Sequence, residues 1–318
     1  MPAKGFAADQ DVAAPAPHGD VETRCGFIAL IGAPNVGKST LVNALVGSKV
    51  SIVTPKVQTT RALVRGIAIA GPAQLVFIDT PGIFAPKRRL DRAMVTTAWG
   101  GAHDADIVGL IIDARRGRDA DADTILGKLA DVRAPKILII NKIDLIEKPR
   151  LLALARDVHD RASFAATFMV SALTGDGVAD MKAWLAARVP SGPWHYPADE
   201  ISDAPLRGLA AEITREKLYL RLHQELPYRS TVETDAWKEL TDGSVRVEQT
   251  IYVERAGQKK IVLGKNGQTI KAIGADARRE IAALIGVPVH LFLFVKVRGR
   301  WGEDPARYRA MGLKFPKA

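Results

Sequence analysis

The sequence predicts an α/β domain with a mostly parallel sheet, followed by a smaller α+β domain. Short apolar runs of strand length recur in the first half of the chain, and polar or glycine residues follow each of them. Residues 190–205 hold four prolines, which is typical of a linker. Beyond this stretch the pattern changes to a helix, alternating strands and a second helix. A chain of 318 residues is long enough for two such domains.

The net charge of +10 is concentrated at the C-terminal end of the chain. Residues 246–318 hold 15 Lys and Arg against 6 Asp and Glu, whereas residues 1–245 hold 30 against 29. An excess of this size suggests a polyanionic partner for the second domain. A solvated basic surface is the alternative interpretation.

Several classes of protein are disfavoured by composition. No apolar run approaches the ~20 residues that span a bilayer. The single cysteine, Cys25, allows no intramolecular disulfide and no cysteine metal site, which fits a reducing cytosol. Residues 1–24 are rich in Ala, Pro and Asp and lack the features of a signal peptide. We therefore predict a cytoplasmic protein with a disordered N-terminal tail over residues 1–24.

The stretch FIALIGAPNVGKSTLVNALVG, residues 27–47, is typical of a strand, a loop and a helix. Its loop fits the P-loop pattern G-x-x-x-x-G-K-[ST]. Lys38 is placed to reach the β- and γ-phosphates of a nucleotide, and the Ser39 hydroxyl to bind Mg²⁺. A chance glycine loop is the alternative, which the flanking strand and helix disfavour. The predicted phosphate-binding residues are Gly32, Ala33, Pro34, Asn35, Val36, Gly37, Lys38, Ser39 and Thr40.

A second motif predicts which base is bound. Asn141, Lys142 and Asp144 follow the apolar run 136–140, and ligands bind at the carboxyl ends of parallel strands. A carboxylate there can accept two hydrogen bonds from guanine, and adenine has no such pair of donors. A wrong base would leave buried polar groups unpaired. Taken alone, the motif would also fit a turn with a helix cap.

Two further motifs complete the predicted nucleotide site. Asp79 ends an apolar strand and can hold Mg²⁺, while the amide of Gly82 can approach the γ-phosphate. Thr80, Pro81 and Ile83 belong to the same predicted contact. The backbone amides of Ser171, Ala172 and Leu173 are placed to contact the guanine carbonyl, which their position alone suggests.

In this order the four motifs resemble the translation-factor class of GTPases. The resemblance implies a P-loop GTPase domain over residues 25–190 that hydrolyses GTP with Mg²⁺. It also implies that a threonine of the QTTR segment closes over the metal. We choose Thr60, with Thr59 as the alternative, although both would also fit solvated loop residues. The predicted metal ligands are Ser39, Thr60 and Asp79.

Hydrolysis would proceed by in-line attack of water, with catalysis by positioning and charge stabilisation. Many GTPases orient this water with a glutamine just after D-x-x-G, but Ile83 occupies that position and cannot hydrogen-bond water. Weak catalysis is one interpretation. Resemblance to the branch with a hydrophobic residue here implies instead that Asn35 binds K⁺. The predicted catalytic residues are Lys38, Asn35, Thr60 and Gly82; Arg61 and Arg65 are possible charge donors.

The second domain is predicted over residues 206–300, after a linker at residues 191–205. Its pattern is helix, two strands, loop, helix and strand, with GKNG at residues 264–267. Just before GKNG, residues 257–263 are expected to form a loop and a strand. The pattern resembles a KH domain of the bacterial type (type II). In KH domains a GXXG loop clamps an RNA backbone. An ordinary turn on a protein-binding module is the alternative. The predicted RNA-binding residues are Gly264, Lys265, Asn266, Gly267, Gln268, Lys271, Lys259 and Lys260.

Residues 25–312 as a whole resemble the Era family of ribosome-associated GTPases, on the motifs above together with ELPY at residues 225–228 and ERAGQKKIVLGKNG at residues 254–267. The resemblance implies a monomeric factor for assembly of the 30S-type small ribosomal subunit. It would bind single-stranded RNA near the 3′ end of the small-subunit rRNA, most tightly with GTP bound, and associate peripherally with the inner membrane. Residues 301–318 would form a basic tail.

Two alternative functions remain at this point. In the first, the protein is a nucleotide-gated RNA-binding scaffold in which hydrolysis is incidental. In the second it is an RNA-modifying GTPase, which is disfavoured because no modification domain or metal motif is left unassigned.

Overall fold

The computed structural model describes residues 22–223, 226–299 and 301–316. The predicted N-terminal tail therefore lies outside the described residues except for its last three positions. Glu225 of the ELPY motif lies outside them as well.

The first domain alternates strands and helices, and its sheet and helix assignments confirm the predicted α/β class. Its elements in chain order are β1 (Arg24–Ile31), α1 (Lys38–Val46), β2 (Val64–Ala70), β3 (Ala73–Asp79), α2 (Arg89–Asp104), β4 (Ile107–Asp113), α3 (Ala120–Leu129), β5 (Lys136–Asn141), α4 (Lys148–His159), β6 (Ala166–Val170) and α5 (Val178–Ala186).

The six strands form one sheet in the order β2-β3-β1-β4-β5-β6. Only β2 runs antiparallel to its neighbour; the other pairs are parallel. Strands β3 and β4 are buried along their whole length, as expected for strands covered by helices on both faces. Parallel pairing brings the carboxyl ends of β1, β3, β4 and β5 to one edge, so the polar residues that end these strands meet there.

The second domain is a three-stranded sheet covered on one face by helices. It comprises α6 (Leu206–Arg221), β7 (Ser230–Glu239), β8 (Val245–Val253), α7 (Ala256–Leu263), α8 (Gln268–Ile285) and β9 (Val289–Val297). The sheet order is β7-β8-β9, with β7 antiparallel and β9 parallel to β8. The predicted apolar face of α8 is confirmed, since Ile273, Ala277 and Ile281 are fully buried in this domain's core.

The prediction for the residues before GKNG was wrong. We expected a loop and a strand, whereas residues 256–263 form helix α7. The Gln258 side chain accepts hydrogen bonds from the backbone amides of Glu254 and Arg255, which satisfies donors at the start of the helix. The neighbouring Ile261 and Val262 suggested a strand, but Val262 is buried while Ile261 is 58% exposed. Contacts with the rest of the domain therefore outweigh the strand preference of these two β-branched residues.

The segment predicted as a basic C-terminal tail is folded where it is described. It contains a short 3₁₀ turn at Trp301–Glu303 and helix α9 (Pro305–Ala310). Trp301, Tyr308 and Leu313 are buried against Leu90 and Met94 of α2. The prediction of a tail relied on the basic residues of this segment. Burial of its apolar side chains, rather than these charges, determines where the segment lies.

The proline-rich stretch lies along the first domain. Ser191 pairs with Arg24, and Ser202 pairs with Gly66. The indole of Trp194 donates a hydrogen bond to the carbonyl of Pro72 at 3.0 Å. Among the helices of the described residues, none is both long and apolar enough to cross a membrane.

Candidate nucleotide and RNA sites

The predicted P-loop connects β1 to α1 at the polar edge of the sheet. Gly37 precedes the helix with a φ of 98°, a conformation that favours glycine. A β-carbon on Gly37 would also lie 2.3 Å from the Nδ2 atom of Asn141. This close approach allows the phosphate loop to contact the loop that follows β5.

Lys38 is the first residue of α1 and is buried. Its ammonium donates hydrogen bonds to the carbonyls of Gly32 at 3.1 Å and Ala33 at 2.8 Å. Burial lowers the pKa of Lys38 to about 8, and the nearby carboxylate of Asp79 opposes that shift. The backbone thus holds the ammonium inside the loop. A buried cation is costly to leave without a partner of opposite charge, so the ammonium is suited to bind a phosphate.

Ser39, Thr60 and Asp79 meet beside this loop. The Ser39 hydroxyl donates to Oδ2 of Asp79 at 2.7 Å and lies 2.8 Å from the Thr60 hydroxyl. The Thr60 hydroxyl lies 3.3 Å from the same carboxylate oxygen. Burial raises the pKa of Asp79, while the hydrogen bond from Ser39 and the charge of Lys38 oppose the rise.

The structure separates the two threonines between which the sequence left a choice. The Thr59 hydroxyl lies 2.7 Å from the Thr54 hydroxyl and 2.7 Å from the carbonyl of Lys56, so it is engaged within its own loop. The Thr60 hydroxyl, by contrast, lies beside Asp79, so Thr60 is the threonine positioned at the candidate metal site.

Residues 79–83 place the D-x-x-G motif against the P-loop. The Thr80 hydroxyl donates to the carbonyl of Leu30 at 2.7 Å, and the amide of Ile83 donates to the carbonyl of Gly32 at 3.0 Å. A β-carbon on Gly82 would lie 3.0 Å from the Cα atom of Pro34. Ile83 is buried in the apolar core, so its side chain fills the core and offers no polar group to a water molecule.

The motif after β5 joins the P-loop to the loop after β6. Asn141 is buried, donates from Nδ2 to the carbonyl of Val36 at 2.9 Å and accepts from the amide of Ala172 at 3.0 Å. The Lys142 ammonium donates to the carbonyl of Asn35 at 2.7 Å and to Asp113 at 2.6 Å. These two side chains therefore support the loops of the site.

Asp144 and residues 171–173, which were predicted to contact the base, are not among the residues that line the cavity beside the P-loop. Asp144 is exposed, and its carboxylate accepts no hydrogen bond from another described residue. Ser171 is buried, with its hydroxyl accepting from the amide of Thr174 at 3.2 Å. Leu173 is 82% exposed, so only the backbone of this residue is suited to a specific contact.

Several residues of the cavity were missed. A cavity of about 460 Å³ is shared by the P-loop, residues 52–55, residues 58–60 and Lys142, and Asp113, Arg115 and Arg116 line it as well. Asp113 ends β4, so the rule that identified Asp79 could have found it. Gln58 also lines this cavity.

Neither arginine that was considered as a charge donor lies in the nucleotide cavity. Arg61 is 3% exposed, and its guanidinium donates to the Tyr219 hydroxyl at 2.6 Å and to the carbonyl of Ser230 at 2.9 Å. Arg65 donates to Asp203 at 2.6 Å. Arg61 therefore connects the first domain to the second.

Further contacts join residues 49–61, which we call the bridging segment, to helix α6. The carboxylate of Glu216 accepts a hydrogen bond from the amide of Val53 at 2.8 Å. The ammonium of Lys56 donates to the carbonyl of Leu222, just past the end of α6. The bridging segment, which carries Thr60, therefore contacts the second domain directly.

The GKNG loop lies between α7 and α8. Gly264 has a φ of 73°, and a β-carbon there would lie 2.1 Å from the Thr269 hydroxyl. Asn266 also has a positive φ of 52°. Lys265 and Asn266 are exposed, so the loop presents them at the N-terminal end of α8.

A groove of about 340 Å³ continues from this loop between α8 and β9. Ile270, Leu291 and Leu293 contribute apolar surface, and Lys271 and Arg278 contribute charge. Lys259, Lys260, Lys265, Lys271 and Arg278 form no ion pair with another described residue. Such a groove, apolar along its floor and basic at its rim, suits bases and phosphates together.

These two sites define the class of the protein, a P-loop GTPase domain joined to a KH domain. A family model described as "50S ribosome-binding GTPase" matches residues 27–142, and a KH domain model matches residues 225–302. The chain is 69% identical to GTPase Era of Afipia carboxidovorans over 93% of this chain and 96% of that protein. GTPase Era of Brucella suis is 66% identical, over 93% and 95%.

Solved structures agree with the sequence comparisons. A crystal structure of Era in complex with MgGDPNP and nucleotides 1506–1542 of 16S ribosomal RNA matches with a TM-score of 0.87 and 37% identity, covering 91% of this chain and 99% of that one. A single-site variant of Aquifex aeolicus Era bound to GDP·AlF4⁻ matches with a TM-score of 0.87 and 36% identity, with the same coverage. The chain belongs to the Era family and is a GTP-hydrolysing enzyme.

Proposed function

We propose that this GTPase binds single-stranded RNA near the 3′ end of small-subunit rRNA, and that GTP controls this binding during assembly of the 30S-type subunit. Two observations support the proposal. The α8–β9 groove has an apolar floor with Lys271 and Arg278 at its rim, and a related Era was crystallised with nucleotides 1506–1542 of 16S ribosomal RNA.

The observation that carries the gating is the adjacency of Thr60 and Arg61. The Thr60 hydroxyl lies beside Ser39 and Asp79, while the next side chain is buried among residues of the second domain. A movement of Thr60 on nucleotide exchange would therefore move the guanidinium of Arg61. In this way the state of the nucleotide biases the position of the second domain, which is the differential contact that coupling between sites requires.

We assign the nucleotide contacts as follows. The loop amides from Gly32 to Thr40 and the ammonium of Lys38 hold the phosphates, and the Asp144 carboxylate accepts from guanine. Asn141 and Lys142 fix the loops around the base, and residues 171–173 approach its carbonyl. Because phosphoryl transfer depends on positioning and charge, these residues need no covalent intermediate.

Mg²⁺ fits the cluster of Ser39, Thr60 and Asp79. The Oδ1 atom of Asp79 is buried and accepts no hydrogen bond from a described residue, and two hydroxyl oxygens lie beside the carboxylate. Oxygen donors of this kind are the ligands that Mg²⁺ takes. Ser39, Thr60 and Asp79 would hold the ion, and its charge would help to stabilise the phosphates during hydrolysis.

Potassium is expected to raise GTP turnover above the rate in sodium. Asn35 is exposed at the P-loop, and its Nδ2 donates to the carbonyl of Pro55 at 2.9 Å, which leaves its side-chain oxygen available to a cation. Single-turnover hydrolysis in matched potassium and sodium buffers measures the effect, and Asn35→Ala should remove the difference. Equal rates of the unmodified protein in the two buffers would refute a role for potassium.

Arg61→Ala is expected to uncouple RNA binding from the nucleotide. Each lost hydrogen bond to a charged group costs about 1.5–3 kcal/mol, enough to change a two-state ratio by tenfold or more. The measurement is RNA affinity with a non-hydrolysable GTP analogue and with GDP, and the ratio of the two affinities should fall toward one. Arg65→Ala is the matched control, since its partner Asp203 lies outside α6 and the contact is partly exposed. A ratio unchanged in Arg61→Ala would exclude this coupling route.

The scaffold alternative draws on one observation, the buried side chain of Ile83. Single-turnover GTP decay with and without small ribosomal subunits separates the two functions. Acceleration by the subunit supports a timed switch, whereas an identical rate favours the scaffold. A monomeric, cytoplasmic protein with peripheral membrane association remains our working proposal for its physical state.

A further inference from the structure

We propose that Gln58 orients the attacking water in GTP hydrolysis, the role for which Ile83 has no polar group. Gln58 was not among the residues that sequence reasoning assigned to the site. It lies two positions before Thr60 and lines the same cavity as Lys38, Thr60 and Gly82. Gln58 is therefore placed on the wall of the compartment that would hold the phosphates.

The backbone of Gln58 is held in an uncommon conformation. Its φ is 57°, in the left-handed region, which a residue with a β-carbon adopts at an energetic cost. Such a conformation persists where the surroundings impose it, and it is enriched at functional sites. In Gln58, this backbone conformation occurs together with a side-chain amide whose orientation is fixed by a hydrogen bond to Asp91.

The amide of Gln58 has one end anchored and the other end free. Its Nε2 donates to Oδ1 of Asp91 at 3.0 Å. A carboxylate can only accept hydrogen bonds, so this contact determines which end of the amide turns toward Asp91. The Oε1 atom accepts no hydrogen bond from a described residue. The free atom is thus an acceptor, which is what orienting a water molecule requires.

Asp91 is in turn held rigidly. It is buried in the first turn of α2, and its Oδ2 accepts from the backbone amides of Lys87 at 3.0 Å and Arg88 at 2.9 Å. The segment that ends at α2 follows directly on D-T-P-G. Asp91 therefore links Gln58 to the loop that senses the γ-phosphate, and acts as a positioning residue.

The chemical step follows from this arrangement. A water molecule donates a hydrogen bond to Oε1 of Gln58, which directs an oxygen lone pair at the γ-phosphorus. The new oxygen–phosphorus bond forms as the bond from the γ-phosphorus to the β,γ-bridging oxygen breaks. The electron pair of the broken bond stays on GDP, and the water's proton passes to the phosphate product. Gln58 gains and loses no proton, since its amide does not titrate.

The first test is Gln58→Ala in the full-length protein, measured by single-turnover hydrolysis at saturating GTP and Mg²⁺. The rate should fall by about 10²-fold, as expected for loss of a positioning contact. Affinity for a fluorescent GTP analogue should stay the same within about threefold, because the phosphate and base contacts are intact. Val57→Ala is the matched control, since Val57 adjoins Gln58, is 40% exposed and contributes nothing to the proposed contact.

The second test reverses the direction of the amide. In Asp91→Asn the side-chain oxygen must stay toward the amides of Lys87 and Arg88, so the new NH₂ group faces Gln58. Gln58 then has to turn its Oε1 toward this donor and its Nε2 toward the cavity, which removes the acceptor for water. Hydrolysis should fall nearly as far as in Gln58→Ala, and the double variant should be no slower than Gln58→Ala alone.

Two results would overturn the assignment. One is a Gln58→Ala rate within about threefold of the unmodified protein at saturating GTP. The other is a double variant whose loss equals the product of the two single losses, because independent effects would mean that Asp91 acts elsewhere. The GTPase activity of the family is established, and Gln58 and Asp91 lie in the first domain. Neither result would therefore bear on the proposed RNA binding by the second domain.

Discussion

Lys38→Ala is expected to weaken GTP binding strongly, and hydrolysis with it. The ammonium is buried and held by two carbonyls of the P-loop, so we expect it to meet the phosphates of a bound nucleotide while shielded from solvent. Truncating one partner of a buried charge pair costs about 2–5 kcal/mol, a loss of roughly 30-fold or more in affinity. Isothermal titration with GTP and with a non-hydrolysable analogue measures the effect.

Lys128→Ala serves as the control for this variant, because Lys128 is an exposed lysine of α3, away from the cavity. RNA affinity of Lys38→Ala, measured in the full-length protein without nucleotide, should equal that of the unmodified protein. GTP binding at normal affinity would contradict the placement of Lys38 at the phosphates.

Changing Lys265 and Asn266 together to Asp should reduce RNA affinity by several orders of magnitude. The two side chains are exposed at the GKNG loop, and the double change replaces one positive charge with two negative ones beside the RNA backbone. Fluorescence anisotropy with a labelled single-stranded RNA measures affinity. For single strands, the slope of log affinity against log salt is about −0.7 per phosphate contact, so the slope should become shallower in the double variant.

Lys238→Asp is the matched control, since Lys238 is an exposed cation of β7, the strand farthest from β9 in the sheet order. Basal GTP hydrolysis of the double variant should be unchanged, because the loop belongs to the second domain and the catalytic residues to the first. RNA affinity that survives the double change, or a salt slope that stays the same, would place the RNA elsewhere.

Local spacing was sufficient to locate most of the candidate site. The P-loop, the D-x-x-G motif and the residues after β5 each lie within a few positions of a strand end. Parallel pairing then brings those ends to one edge without further information. The same holds for the GKNG loop, whose glycines begin an amphipathic helix. Asp113 was missed although the same rule applies to it.

Other features depend on contacts between residues far apart in the chain. The α7 helix carries a β-branched pair that suggested a strand, and its capping by Gln258 and the burial of Val262 decide the outcome. The C-terminal segment reads as basic, yet Trp301 and Tyr308 are buried against α2. In both cases, packing against the rest of the folded protein determined the structure of the segment more strongly than its local composition did.

The sequence by itself determined the class of the protein, since nucleotide and RNA loops are made of consecutive residues whose spacing encodes their geometry. Only the tertiary structure distinguished Thr60 from Thr59, placed the guanidinium of Arg61 against the second domain and paired Gln58 with Asp91. Arg61 and Tyr219 are separated by 158 positions, and no local pattern reports such a contact. The coupling that we propose between the two domains depends on such long-range hydrogen bonds, because only the folded chain brings their donors and acceptors together.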